Sequence, residues 1–181
     1  MGDVRLTVDH LRLNYTGPFD ANALYRQITG FIKEKGFDLE LTKEFENETK
    51  TGKNIEWQMR PWKKLTDYVH HIIRVRVLIY DYTKVDAVVE DKKAKIGTGK
   101  VIIYLDGFIE LDYFNKWEYR PFFQFLRAIY DNFIHKVYTE RFEQRLTYDV
   151  NHLYHTLEQF FNMYKHYSIV SKVPSFASTS Q

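Results

Sequence analysis

The sequence predicts an α+β domain: an antiparallel sheet of about six strands, one short helix after the first strand, and a long C-terminal helix or helical hairpin packed on one face. Three observations carry this. Most strand-like runs alternate apolar with polar residues, which gives each one wet face, as antiparallel strands have; parallel strands are covered on both sides. A single well-capped helix interrupts the strands near the N-terminus. From Pro121 to Tyr167 there is no glycine and no further proline, and apolar residues recur at helical spacing.

The elements follow in order. Val4, Leu6 and Val8 share one parity and Leu11, Leu13 and Tyr15 the other, so a strand over 4–15 carries a bulge near Asp9-His10. Gly17-Pro18-Phe19-Asp20 reads as a turn into a helix over 21–35. Asp20 caps that helix, Phe19 and Leu24 stand in staple relation, Leu24, Ile28 and Phe31 form its buried stripe, and Gly36 closes it. Phe37, Leu39, Leu41 and Phe45 alternate with polar residues, as do Ile55, Trp57 and Met59. Between Tyr68 and Tyr80 the inward set is Ile73, Val75, Val77 and Ile79, with Arg74 and Arg76 outside. A weaker strand covers 85–90, and a long one runs from Val101 to about Tyr113, bent at Gly107.

Phe122, Leu126, Ile129, Phe133 and Val137 define a first helical stripe, and Phe142, Leu146, Val150, Leu153, Leu157, Phe160 and Tyr164 a second. The phase shift between them, near Tyr138-Thr139-Glu140, predicts a kink or a short turn. The expected division is one domain over 1–167, with sheet and first helix over 1–113 and the helical segment over 120–167, then a flexible Ser-rich tail over 168–181. The order strand, helix, five strands, long helix is similar to the helix-grip arrangement of START-like lipid carriers. The likeness is one of element order, and no run of residues matches a motif of that family.

A chain of 181 residues buries a core without staples. It contains no cysteine, which removes disulfides, thiolate nucleophiles and cysteine-ligated metal centres together. The N-terminal residues lack a signal-like apolar run, and no stretch has the length of a membrane span, so a cytoplasmic location is the expectation. A net charge of +2 implies no polyanionic partner by itself. The unusual quantity is the 17% aromatic content, which suits a cavity or a partner surface as well as a core.

Few motifs carry chemistry. His152-x-x-His155, with Asp149 one turn earlier, is the weak metal candidate. The competing reading places His152 and His155 on a solvated face opposite Leu153 and Leu157. Gly97-Thr98-Gly99-Lys100 resembles part of a phosphate loop, but a strand follows it, so the glycines are expected in a hairpin turn. His70 and His71 are adjacent on a strand and must point to opposite sides. No serine precedes Ser168, which excludes a serine nucleophile before the tail. No catalytic residue, cofactor or metal is assigned, and the expectation is a non-enzyme.

Three binding readings remain open. In the favoured one the protein is a protein-binding or assembly module, homo-oligomeric or holding a partner through an aromatic helical surface of Phe123, Tyr130, Tyr138, Tyr154 and Phe161. In the second it carries an apolar small molecule between sheet and long helix, in a cavity lined by Trp57, Val75, Tyr104 and Leu126. In the third, basic turns bearing Lys53, Arg60, Trp62, Lys63, Lys92 and Lys95 converge at one end of the sheet and bind single-stranded nucleic acid.

Overall fold

The computed structural model describes residues 3–66, 69–89, 92–111, 136–165 and 168–169; the side chains of 3, 86–89, 92–95, 136–139 and 168–169 lie outside that description. The elements are β1 (Asp3–Phe19), α1 (Ala21–Glu34), β2 (Leu41–Glu48), β3 (Lys53–Met59), β4 (Trp62–Lys64), β5 (Val69–Val89), β6 (Lys92–Leu111), α2 (Lys136–Tyr164) and β7 (Ser168–Ile169). Every strand pairing is antiparallel. The sheet order is β1-β6-β5-β3-β2, and β4 and β7 also pair with β5. The predicted α+β class therefore stands. No helix among the described residues is long and apolar enough to cross a membrane.

β1 carries its bulge where the parity changes, with register shifts between Leu6 and Val8 and between Val8 and Leu11. It extends beyond the predicted end. Gly17, Pro18 and Phe19 form no turn but pair with Gly99, Thr98 and Gly97, so strand passes into helix with only Asp20 between. The Asp20 carboxylate accepts from the Asn22 N–H at 2.9 Å, which satisfies an orphan donor of the first turn. Phe19 and Leu24 are fully buried around that cap. At the other end Gly36, with φ +71, lets the Phe37 N–H return to the Ile32 carbonyl.

β3 and β4 run along β5 as one line of strand interrupted at Arg60-Pro61. Proline has no N–H to give the ladder, yet the register onto β5 is unchanged across it, from Met59↔Val75 to Trp62↔Ile72. β5 absorbs both strands predicted over 68–90 by a bulge between Tyr80 and Thr83, where Asp81 adopts φ +53. Gly97 and Gly99 lie within β6 rather than in a turn. A Cβ at Gly97 would run into the Tyr82 ring, and one at Gly99 would stand 2.9 Å from the Tyr80 carbonyl oxygen. β2 departs from its predicted alternation, for all of its residues are exposed on both faces of the sheet edge.

α1 and α2 cover one face of the sheet. Ile55, Trp57, Met59, Ile73, Val75, Val77, Ile79, Ile103, Leu105 and Ile109 point toward them and join a single hydrophobic cluster with Leu24, Ile28, Leu146, Val150, Leu153, Leu157 and Phe160. The second predicted stripe is thus the sheet-facing side of α2. α2 is continuous from Lys136, so Tyr138-Thr139-Glu140 lies in its first turns and not in a connection between helices. Gly107 brings β6 close to α2. A Cβ there would lie 3.3 Å from both Val150 and Val8.

Candidate functional site

The residues of the assembly reading do not form one surface among the described residues. Phe161 is interior, 2% exposed and stacked on Tyr15 at 4.5 Å, because its position on α2 faces the β1 end of the core. Tyr154 is half-buried against the same cluster. Phe123, Leu126 and Tyr130 lie outside the described residues, as does the side chain of Tyr138.

The cavity reading is divided by the sheet. Trp57 and Val75 are core residues on the helix-covered face, with Trp57 edge-on to Tyr25 at 5.2 Å. Tyr104 stands on the opposite face, since strand alternation sends it away from Ile103 and Leu105. These three cannot line one cavity. Polar surface grooves occur elsewhere, one of about 340 Å³ between the helices that includes Arg26, Gly30, Glu34 and His152.

The basic-turn residues do not converge. Lys53 pairs opposite Tyr82 and Lys63 opposite His71, which separates them along β5 by roughly 35 Å at about 3.3 Å per residue. Lys92 and Lys95 pair with Val89 and Asp86, toward the end of β5 remote from Lys63. Lys53 bridges Glu46 and Glu48, and the Lys63 ammonium donates to the Lys35 carbonyl at 2.6 Å, capping the C-terminus of α1. Arg60 is exposed at the β3–β4 break, and Trp62 is partly exposed beside His70 at 5.7 Å. The metal candidate is dispersed as well. His155 pairs with Glu158, while His152 packs edge-on against Phe31 at 5.2 Å and so does not belong to a solvated face.

What the fold does assemble is the face of the sheet that carries neither described helix. Register aligns Arg12, Tyr104, Arg76, Gln58 and Lys43 in one row across the sheet, and Leu6, Phe108, Ile72 and Trp62 in another. Between them lie Asp106 and Arg74. The guanidinium of Arg12 covers the Tyr104 ring at 5.7 Å and that of Arg74 covers Phe108 at 4.8 Å, both within cation–π range.

Acids and bases on this face differ in height. The side chains of Arg74, Arg76 and Lys43 are 57%, 49% and 47% exposed, whereas those of Asp106 and Glu56 are 7% and 16% exposed. Glu56 accepts hydrogen bonds from Lys43, Gln58 and Arg76, which hold its pKa down to about 2. Asp106 and Glu56 are thus recessed beneath the cations, whereas the Asp9 carboxylate at the β1 margin is 68% exposed.

At the β1 margin the bulge adds a cluster. His10 adopts φ +45, which turns Asp9 and His10, neighbours in sequence, toward the same point. The His10 Nδ1 lies 2.6 Å from Asp9 Oδ1 and 3.2 Å from Asp106 Oδ1, and the His10 backbone N–H donates to Asp106 at 2.9 Å. The Arg74 guanidinium stands 4.0 Å from the second Asp106 oxygen. No other trio of carboxylate and imidazole ligand atoms converges so closely among the described residues. Its internal hydrogen bonds and the adjacent guanidinium form a set that a proton on the imidazole completes. The hydrogen bond to Asp9 and the charge of Asp106 raise the His10 pKa.

Neither protein-family models, nor curated proteins, nor solved structures give a match to this chain. The site therefore rests on its own geometry. Sequence reasoning missed Arg12, Phe108, Asp106 and His10. The available signal was the parity of two strands, where Arg74 and Arg76 alternate with the core set and Tyr104 and Phe108 stand on the side opposite Ile103 and Leu105.

Proposed function

We propose that the protein is a non-catalytic binding module that lays a single-stranded nucleic acid across the sheet face opposite α1 and α2. The inverted exposure of acids and bases supports the reading: the cations protrude while the carboxylates beneath them are recessed. Rings lie among the cations, with Tyr104 and Phe108 beneath guanidinium groups and Tyr80 and Trp62 at the margins, 38% and 37% exposed. Cations that track phosphates and rings on which bases stack are the two components of single-strand binding, and a sheet surface can supply both. This places the interface on Arg12, Arg74, Arg76 and Tyr104 rather than on the C-terminal helix or the basic turns.

The test is fluorescence anisotropy with a short labelled oligouridylate, with labelled polyglutamate as the acidic-peptide control. Binding should appear at low salt and weaken between about 50 and 200 mM salt, because counterion release drives it. Arg12→Glu and Arg74→Glu should each weaken it and lower the log–log salt slope by about 0.7 or more, with unchanged circular dichroism. No complex at low salt, or equal affinity for the polyglutamate, would refute the reading.

A further inference from the structure

The bulge cluster sits on the same face, and its chemistry suggests regulation. The His10 ring meets Tyr104 edge-on at 6.2 Å, and Tyr104 in turn lies under Arg12. The charged groups facing the imidazole come from three strands: Asp9 on β1, Asp106 on β6 and Arg74 on β5. With His10 neutral, two carboxylates confront any anionic chain at this corner against one guanidinium. With His10 protonated, the charges balance and the imidazolium stands exposed at the margin of the Arg12–Tyr104 row.

We propose that His10 is a proton-operated gate on this face, which admits an anionic strand when the imidazole is charged and repels it through Asp9 and Asp106 when it is neutral. The gate rests on the nucleic-acid reading. Its geometry depends on the positive φ of His10, for an extended residue there would point away from Asp9. The direction follows from the neighbours. Asp9 and Asp106 favour the charged ring more than Arg74 opposes it, so the proton is held below the ordinary histidine value and is lost as pH rises through the elevated one.

The full chain and a His10→Asn variant, which keeps a side chain tolerant of left-handed backbone but cannot charge, are compared by two measurements. Ring resonances of His10 are followed by carbon-edited NMR from about pH 5.5 to about pH 8.5, and oligouridylate affinity is measured over the same range. The ring should titrate above the ordinary histidine value. The native chain should bind about two- to fivefold more weakly across that midpoint, the range expected of one exposed charge, and the variant should lack the step. Identical pH profiles for the two chains, or a ring that titrates at or below the ordinary value, would overturn the gate while leaving the binding function in place. Absence of binding at every pH would instead refute the nucleic-acid reading and the gate with it.

Discussion

His71 is the residue at which strand geometry and burial meet most sharply. Adjacent strand positions point to opposite faces, so His70 is buried on the face away from the two helices, beside Trp62, while His71 enters the core against Phe142 at 6.3 Å. Burial and then the nearby Arg145 charge push the His71 pKa down to about 4, and its Nε2 has no hydrogen-bond partner among the described residues. The unfolded chain binds a proton at about pH 6.5 that the folded chain refuses. Stability is therefore full above that value and declines as pH falls toward 4. A His71→Leu chain should lose this part of the acid dependence, measured as the denaturation midpoint at about pH 7 and at about pH 5; an unchanged slope would show that His71 does not titrate this way. The opposed directions of this pair were legible from two adjacent letters. The left-handed turn at His10 was not, because it is held by Asp106, which only the β1–β6 register brings to it.

At the scale of elements, alternation located the inward faces of β3 and β5 correctly, since those strands sit between others and one side must be dry. It misread β2, which lies at an edge and has no layer to bury against. Glycines were the other point of failure. A turn and a close approach leave the same letter, and Gly97 serves the second: the Tyr82 ring occupies the space its side chain would need, wedged beside Phe19 at 5.3 Å. Gly30 in α1 has open space around the equivalent position. The two substitutions should therefore have opposite signs. Gly97→Ala should cost about 1–3 kcal/mol through overpacking, and Gly30→Ala should gain about 0.5–1 kcal/mol from helix propensity. Urea unfolding of both variants checks this, and a tolerated Gly97→Ala would mean that the Tyr82 ring is free to move.

For the molecule as a whole, the sequence specified its layers but not its lateral order. Which strand neighbours which is decided by pairings such as Arg12↔Tyr104 and Arg76↔Tyr104, and these turn residues scattered along the chain into one cationic row. The same lateral order undoes the basic-turn patch, since turns adjacent in composition lie at opposite ends of β5. It also puts Phe161 inside, because the end of α2 returns to the first strand, at Tyr15. The account's central claim is that the sheet face opposite the two helices is the binding surface. Mapping amide and side-chain chemical-shift changes on an oligouridylate titration tests it most directly. The account predicts perturbations concentrated at Arg12, Tyr104, Arg74, Phe108 and Arg76, with the exposed sides of α1 and α2 unaffected. Shifts clustered on the helices, or none at saturating oligonucleotide, would contradict it.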